Sequence, residues 1–229
     1  MKKALLLGGP TASGKTRLSI RLAQHFQAPI ISVDSRQLYK EMSVGTAKPD
    51  PSELSAARHY MISIRSIKEP LTASDYISAV IKLLHDELKN EQLVIFTGGT
   101  GLFFELLENG ISKIPSISES VSIQVKRLLE EKSYAEVLKY LEEKDPAAIN
   151  EIETSNPRRV QRALEVVLET GKSITEYWKE GRNESALSKF AIFKYALNPN
   201  RRDLYARIEL RCDQMLENGL MEEVNSLKS

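Results

Sequence analysis

The sequence predicts an α/β fold: a parallel sheet flanked by helices, with an all-helical insertion. Three observations predict it. Short apolar runs alternate with amphipathic stretches through roughly the first 115 residues, the pattern of βαβ units. A glycine-rich loop joins the first apolar run to the first amphipathic stretch, where open α/β sheets bind ligands. From about Ser118 to Glu180 the alternation stops and only helical patterning remains, until a late apolar run, AIFKYAL, restores a strand at Ala191–Leu197.

The elements follow in order. Ala4–Leu7 is a buried strand, the loop runs from Gly8 to Gly14, and Leu18, Ile20, Leu22, Ala23 and Phe26 mark a helix without breakers. Pro29–Val33 is a second strand ending at Asp34. Gly45–Pro51 is a loop with Pro49 and Pro51 as breakers. Ile77, Val80, Ile81, Leu84 and Leu88 mark a helix over Ser74–Leu88, and Leu93–Phe96 is a strand running into Thr97-Gly98-Gly99-Thr100-Gly101 and a helix. Arg202–Ser229 is helical with a break near Asn218-Gly219. The domains expected are 1–115, a catalytic core; 116–185, the helical insertion; and 186–229, a return to the core. Trp178 and Cys212 are expected to be packing residues, and Met215, Leu216, Leu220 and Met221 a helix core face.

Composition narrows the class. The 229 residues carry 32 Lys+Arg against 31 Asp+Glu, with 41% hydrophobic and 28% charged residues, ordinary globular values that exclude disorder and collagen-like repeats. One cysteine, Cys212, excludes an internal disulfide and a cysteine-based zinc site, making a reducing cytoplasm the default. His25, His59 and His85 have no metal-ligand spacing, and no apolar run approaches the ~18 residues of a membrane helix. MKKALLLGG imitates a signal peptide only briefly before entering the loop. The net charge of +1 averages an acidic stretch from Glu130 to Glu153 and a more basic one from Arg158 to Arg211, so it does not exclude a nucleic-acid partner.

Gly9-Pro10-Thr11-Ala12-Ser13-Gly14-Lys15-Thr16 matches G-x-x-x-x-G-K-[ST] after a strand and at the opening of a helix, which makes the core P-loop-type. Glycines let backbone N–H groups turn inward, the helix start adds partial positive charge, and Lys15 supplies a point charge for outer phosphate oxygens. Thr16 can place its hydroxyl on a magnesium ion bridging phosphates. A di- or triphosphate is the expected occupant. The Leu93–Phe96 strand ends in Thr97, where many NTPases carry a magnesium-binding Asp, and no Asn-Lys-x-Asp guanine-reading motif occurs; a GTP switch or motor is disfavoured.

Asp34 stands at the carboxyl end of the second strand, where it can face the phosphate loop and take a proton from an attacking hydroxyl or amine. A cap or turn aspartate is the other reading of the same position.

GPTASGKT, DSRQLYKEMSVGTAKP (Asp34–Pro49), TGGTGLF (Thr97–Phe103) and NPRRVQRALEV (Asn156–Val166) together resemble, in order and spacing, the tRNA dimethylallyltransferase family, and RIELRCDQMLENGLMEEV (Arg207–Val224) extends the likeness. The resemblance implies that the loop holds the diphosphate of dimethylallyl diphosphate. The N6 amine of a flipped-out adenosine beside the tRNA anticodon attacks the allylic carbon and diphosphate leaves. It implies Asp34 as general base, with Lys15, Thr11, Ser13, loop N–H groups and Thr16 with Mg2+ neutralising the leaving group; Arg207 or Arg211 adds a further contact. Asp34, Ser35, Arg36, Gln37, Thr100, Ser122 and the segment Arg158-Arg159-Val160-Gln161-Arg162 are implied to face tRNA, Arg158 and Arg162 sharing one helical edge at i,i+4.

Departures accompany the likeness. His59-Tyr60 stands where the family often has two histidines, Ser63 where it has Asp, Phe103 where it has Tyr, and Ser122 where a tRNA-contacting Arg is usual. The family usually continues past the position of Ser229. A monomer is expected. The alternatives are a small-molecule or nucleoside kinase with ATP in the loop, in which Asp34 activates a hydroxyl, and a non-catalytic RNA-binding module.

Overall fold

The computed structural model describes residues 1–228 and divides into two compact units, one built from residues 1–109 and 185 onward and the other from Gly110–Glu184. The first unit opens with β1 (Lys2–Gly8), whose Ala4, Leu6 and Leu7 are buried, followed by α1 (Lys15–Phe26) and β2 (Ile30–Val33), buried at every position. Next come α2 (Pro51–Ala56), β3 (His59–Tyr60), α3 (Ala73–His85), β4 (Leu93–Gly98) and α4 (Gly101–Asn109). Pro51, expected to break structure, instead begins α2 at the first helical position, where its missing N–H has no partner to lose. Asp50 caps that helix reciprocally with Glu53, and Thr72 caps α3 with Asp75.

The second unit holds α5 (Glu119–Glu131), α6 (Tyr134–Lys144), α7 (Pro146–Glu151), α8 (Pro157–Thr170) and α9 (Ile174–Lys179). In each the N-cap side chain, that of Ser118, Ser133, Asp145, Asn156 and Ser173 in turn, accepts a backbone N–H of the first helical turn. Val125, Val137, Leu141, Val160, Ala163, Leu164 and Ile174 are among the buried residues of its core. Trp178 is 43% exposed, not a packing residue, because the short α9 already buries Ile174, Thr175 and Tyr177 on its inward side.

The chain returns through β5 (Phe190–Ala196), α10 (Arg201–Glu217) and α11 (Leu220–Ser226). The expected core face here is corrected: Met215 and Leu220 are half-buried, whereas Leu216, Met221 and Cys212 are exposed. Neighbouring positions on a helix lie ~100° apart, so Met215 and Leu216 cannot share a narrow contact stripe.

The sheet is parallel throughout, in the order β3-β2-β4-β1-β5. Thr97 of β4 is in register with Ser32 of β2 on one side and Leu7 of β1 on the other. The carboxyl ends of β2, β4 and β1 therefore meet at one edge, with β4 lying between two strands that precede it in sequence. Ile20 and Ala23 of α1 pack on Ile30 and Ile95 to cover one face of that sheet. On α3, Tyr76 is fully buried, stacks on Phe103 at 4.1 Å between centroids, and donates to the Ser32 carbonyl at 2.9 Å. Among the described residues no helix is long and apolar enough to cross a membrane.

Candidate active site at the carboxyl edge of the sheet

A cleft of about 520 Å3 opens at this edge, walled by residues Gly9–Thr16, Asp34, Gln37, Thr97 and Arg211. A larger cleft of about 900 Å3 elsewhere on the first unit is floored by Leu18, Leu22, Phe26 and Phe193 and gathers no comparable set of phosphate-binding groups. Chemistry, not size, identifies the candidate site.

The loop's shape follows from its residues. Gly9 has φ +144°, and a Cβ there would lie 2.8 Å from the Leu197 carbonyl oxygen; Gly14, at φ +92°, precedes α1 as its N-cap and offers no side chain. The first turn of α1 holds no acidic residue, leaving its N–H groups directed at the cleft without a competing carboxylate. Ala12 adopts φ +58°, a left-handed conformation unusual for a residue with a Cβ. Lys15 folds over the loop and donates to the carbonyls of Gly9 at 2.9 Å and Pro10 at 2.6 Å. Burial pushes the Lys15 pKa down, the nearby Arg211 pushes it the same way, and Asp34 partly offsets them.

Two hydroxyls in the cleft, Ser13 Oγ and Thr97 Oγ1, are buried without a hydrogen-bond partner among the described residues. Such groups cost stability unless something in the cleft completes them. Arg211 reaches in from α10 and donates to Thr11 Oγ1 at 2.7 Å, whereas Arg207, one turn earlier, is exposed and does not line the cleft.

Asp34 leaves the end of β2 in a tight turn. Its Oδ1 accepts from the backbone N–H groups of Arg36 at 2.9 Å and Gln37 at 3.3 Å, so the turn geometry and the exposure to the cleft coexist in one residue. Thr100 Oγ1 accepts from the Ser35 N–H at 3.0 Å, tying this turn to the start of α4. Gln37 Oε1 accepts from Ser32 Oγ at 3.1 Å, and its Nε2 donates to the carbonyls of Thr46 and Ala47 at 3.3 and 3.2 Å. Arg36 is exposed. Gly98 permits the close approach of β4 to β2, since a Cβ there would sit 2.0 Å from the Val33 carbonyl oxygen.

The remaining sequence-derived residues belong to the second unit. Arg158, Arg159 and Arg162 are exposed on α8; Arg159 pairs with Glu153 at 3.3 Å and Arg162 with Glu165 at 3.7 Å. Ser122 is half-buried on α5, and Gln161 donates to Glu165 at 2.8 Å. Val160 is corrected as a tRNA-facing side chain: it is wholly buried in the unit's core, on the face opposite the arginines.

No group of three or more His, Cys, Asp or Glu side chains among the described residues is arranged to hold a metal ion. The Thr16 hydroxyl at the cleft is a hard oxygen donor; it fits a magnesium ion that arrives with phosphate oxygens and retains water.

Comparison with known proteins fits this arrangement. The model of the family described as IPP transferase matches residues 37–229. The chain is 38% identical over 223 residues to a tRNA dimethylallyltransferase 2 of Azobacteroides pseudotrichonymphae, covering 97% of this chain and 72% of that protein. It is 38% identical over 227 residues to the tRNA dimethylallyltransferase of Vesicomyosocius okutanii, covering 99% and 73%. Among solved structures, the full-length tRNA isopentenylpyrophosphate transferase of Bacillus halodurans aligns with all of this chain and 70% of its own, at 30% identity and a TM-score of 0.63. A eukaryotic dimethylallyltransferase acting on tRNA aligns with 100% of this chain and 56% of its own, at 26% identity and a TM-score of 0.81. With the family match extending from the turn after β2 through the helical unit to α11, the chain belongs to the IPP transferase family.

Proposed function

We propose that this protein transfers a dimethylallyl group from dimethylallyl diphosphate to N6 of the adenosine next to the anticodon of tRNA, releasing diphosphate. The observation that carries the reading is the shared cleft of the phosphate loop, Arg211 and Asp34, in a chain whose relatives are tRNA dimethylallyltransferases. The diphosphate occupies residues Gly9–Thr16. There, Lys15 exchanges its two carbonyl partners for phosphate oxygens, and Arg211 and Thr11, already bonded to each other, close on the anion. The buried hydroxyl of Ser13 gains the partner it lacks.

The nitrogen lone pair attacks the allylic carbon, the carbon–oxygen bond to diphosphate breaks, and its electrons leave with the diphosphate. The attacking amine becomes cationic as the new bond forms, and Asp34 accepts its proton. Oδ1 of Asp34 is fixed by the Arg36 and Gln37 N–H groups, which orients the carboxylate toward the cleft before substrate arrives. A magnesium ion held by Thr16 would supply further neutralisation of the leaving diphosphate. Arg158 and Arg162 offer tRNA phosphates a basic edge on α8, and a monomer in the cytoplasm is the working state.

The test is incubation of the protein with tRNA and labelled dimethylallyl diphosphate, followed by nucleoside analysis. Label on N6 of the adenosine beside the anticodon is expected. Absence of transfer, or transfer of the γ-phosphate of ATP to a metabolite without tRNA, overturns the reading.

A further inference from the structure

Helix α11 is hydrogen-bonded to the segment between β2 and α2 through the carboxylate of Glu223. Glu223 Oε2 accepts from the N–H groups of Ser43 and Val44, each at 2.7 Å, and Oε1 accepts from the N–H of Gly45 at 2.9 Å. Three successive backbone donors on one carboxylate, 178 to 180 positions away in sequence, form an anion nest filled by a side chain of the same protein. Gly45 lies flush against the helix: a Cβ there would meet Leu220 Cδ1 at 3.1 Å and Glu223 Oε1 at 3.3 Å. Burial pushes the Glu223 pKa up, but the N–H groups of Gly45, Val44 and Ser43, together with Lys48, more than offset it and hold the carboxyl below its usual range.

The two residues that follow the held segment are part of the cleft. Thr46 and Ala47 line it, and Ala47 is kept at φ +44°, a left-handed conformation costly for a residue with a Cβ. The carbonyls of Thr46 and Ala47 receive the Gln37 side-chain amide, and the Gln37 backbone N–H donates to Asp34 Oδ1. A connected path of hydrogen bonds and one short stretch of backbone thus runs from Glu223 to the carboxylate of Asp34.

We propose that Glu223 is a positioning residue for the transfer reaction, latching Ser43–Gly45 to α11 so that the Thr46–Ala47 backbone holds Gln37 and, through it, the Asp34 carboxylate in attacking geometry. The assignment rests on the prenyl-transfer reading of the cleft. It separates two duties of the α10–α11 pair: Arg211 serves the diphosphate, and Glu223 serves the base.

The test compares the unsubstituted chain with Glu223→Gln, which keeps length and volume but turns an NH2 toward the N–H donors, and with Gly45→Ala, which crowds the latch from the loop side. Amide exchange at Ser43–Gly45 should quicken by tenfold or more in both. The kcat for transfer should fall by about ten- to a hundredfold, the upper figure being the cost of a catalytic group displaced by ~1 Å. Affinity for inorganic pyrophosphate should change less than threefold, and the double substitution should cost less than the product of the two singles. Faster exchange with unchanged kcat, or a loss of kcat that only follows a loss of pyrophosphate affinity or a general loss of exchange protection, overturns the proposal. Failure of the unsubstituted chain to transfer label strikes the reading of the cleft itself, a result visible before any variant is made.

Discussion

Arg211 and Thr11, 200 residues apart in sequence, are joined by a 2.7 Å hydrogen bond from the guanidinium to the hydroxyl. The bond brings α10 to the phosphate loop and places a permanent cation where Lys15 already bears one; burial first, and this repulsion after it, lower the Lys15 pKa. Two cations at one loop are unfavourable in the empty protein and favourable once an anion with more than one negative charge lies between them. Arg211→Gln should weaken inorganic pyrophosphate binding by roughly 10- to 100-fold, the worth of a charge-assisted hydrogen bond. Its thermal midpoint should move little, because the Arg211–Thr11 bond is exposed. Calorimetric titration with pyrophosphate and a melting curve check both; equal affinity would remove Arg211 from the anion site.

Asp34→Asn should separate binding from chemistry. An asparagine side-chain oxygen can accept the same two N–H groups, of Arg36 and Gln37, so the turn after β2 should persist. It cannot take the proton from the adenine amine. Single-turnover transfer should fall by roughly 10²- to 10⁴-fold, the range for loss of a general base, while pyrophosphate affinity stays within a few fold. Unchanged turnover would assign Asp34 to the turn alone.

Lys15 sets a pH dependence whose sign follows from its depressed pKa. Below that value the ammonium is charged and able to hold diphosphate; as pH rises through it, below the ordinary 10.5, the empty loop loses its point charge. Between the folded and the ordinary value the unfolded chain binds more protons, so the Lys15 contribution to stability rises with pH in that window while its contribution to anion binding falls. Pyrophosphate affinity measured from pH 7 upward should decline before free lysine would titrate, with proton uptake on binding. In Lys15→Met the affinity should be lower at neutral pH and this alkaline decline absent.

Much of this site was legible in the sequence because local chemistry fixed it. The motif from Gly9 to Thr16 needed only a preceding strand and a following helix, and Asp34 needed only a strand end. The four-block likeness also pointed to the relatives later found, and those relatives give no support to the kinase alternative. What stayed hidden depended on packing between distant segments. Arg207 and Arg211 are one turn apart on one helix, and only the docking of α10 selects Arg211 for the loop. Glu223 lies in a block that carries the family likeness, but the likeness gives it no role, since the role exists only where Ser43–Gly45 passes α11. β3 is two residues long, too short to show alternation. The exposure of Leu216 and Met221 shows the reverse error, apolar residues grouped by proximity in sequence when helix geometry separates them.

The helical unit allows a test independent of the cleft. On α8, Val160, Ala163, Leu164 and Val167 point into the core, which leaves Arg158, Arg159 and Arg162 on the outer side. Arg159 has a partner in Glu153, an exposed pair that a phosphate can displace at little cost, and Arg162, itself exposed, lies 3.7 Å from the largely covered Glu165. Arg158→Ala with Arg162→Ala should weaken tRNA binding and reduce the slope of log affinity against log salt by roughly 0.7 to 0.9 for each phosphate left without its arginine. Pyrophosphate affinity should be untouched. Val160→Ala should behave in the opposite way, lowering the unfolding midpoint through a core cavity costing about 1–3 kcal/mol, with the salt slope preserved. Filter binding across a salt series, set beside denaturant titration, distinguishes them. A salt slope unchanged by removal of both arginines would take α8 out of the tRNA surface.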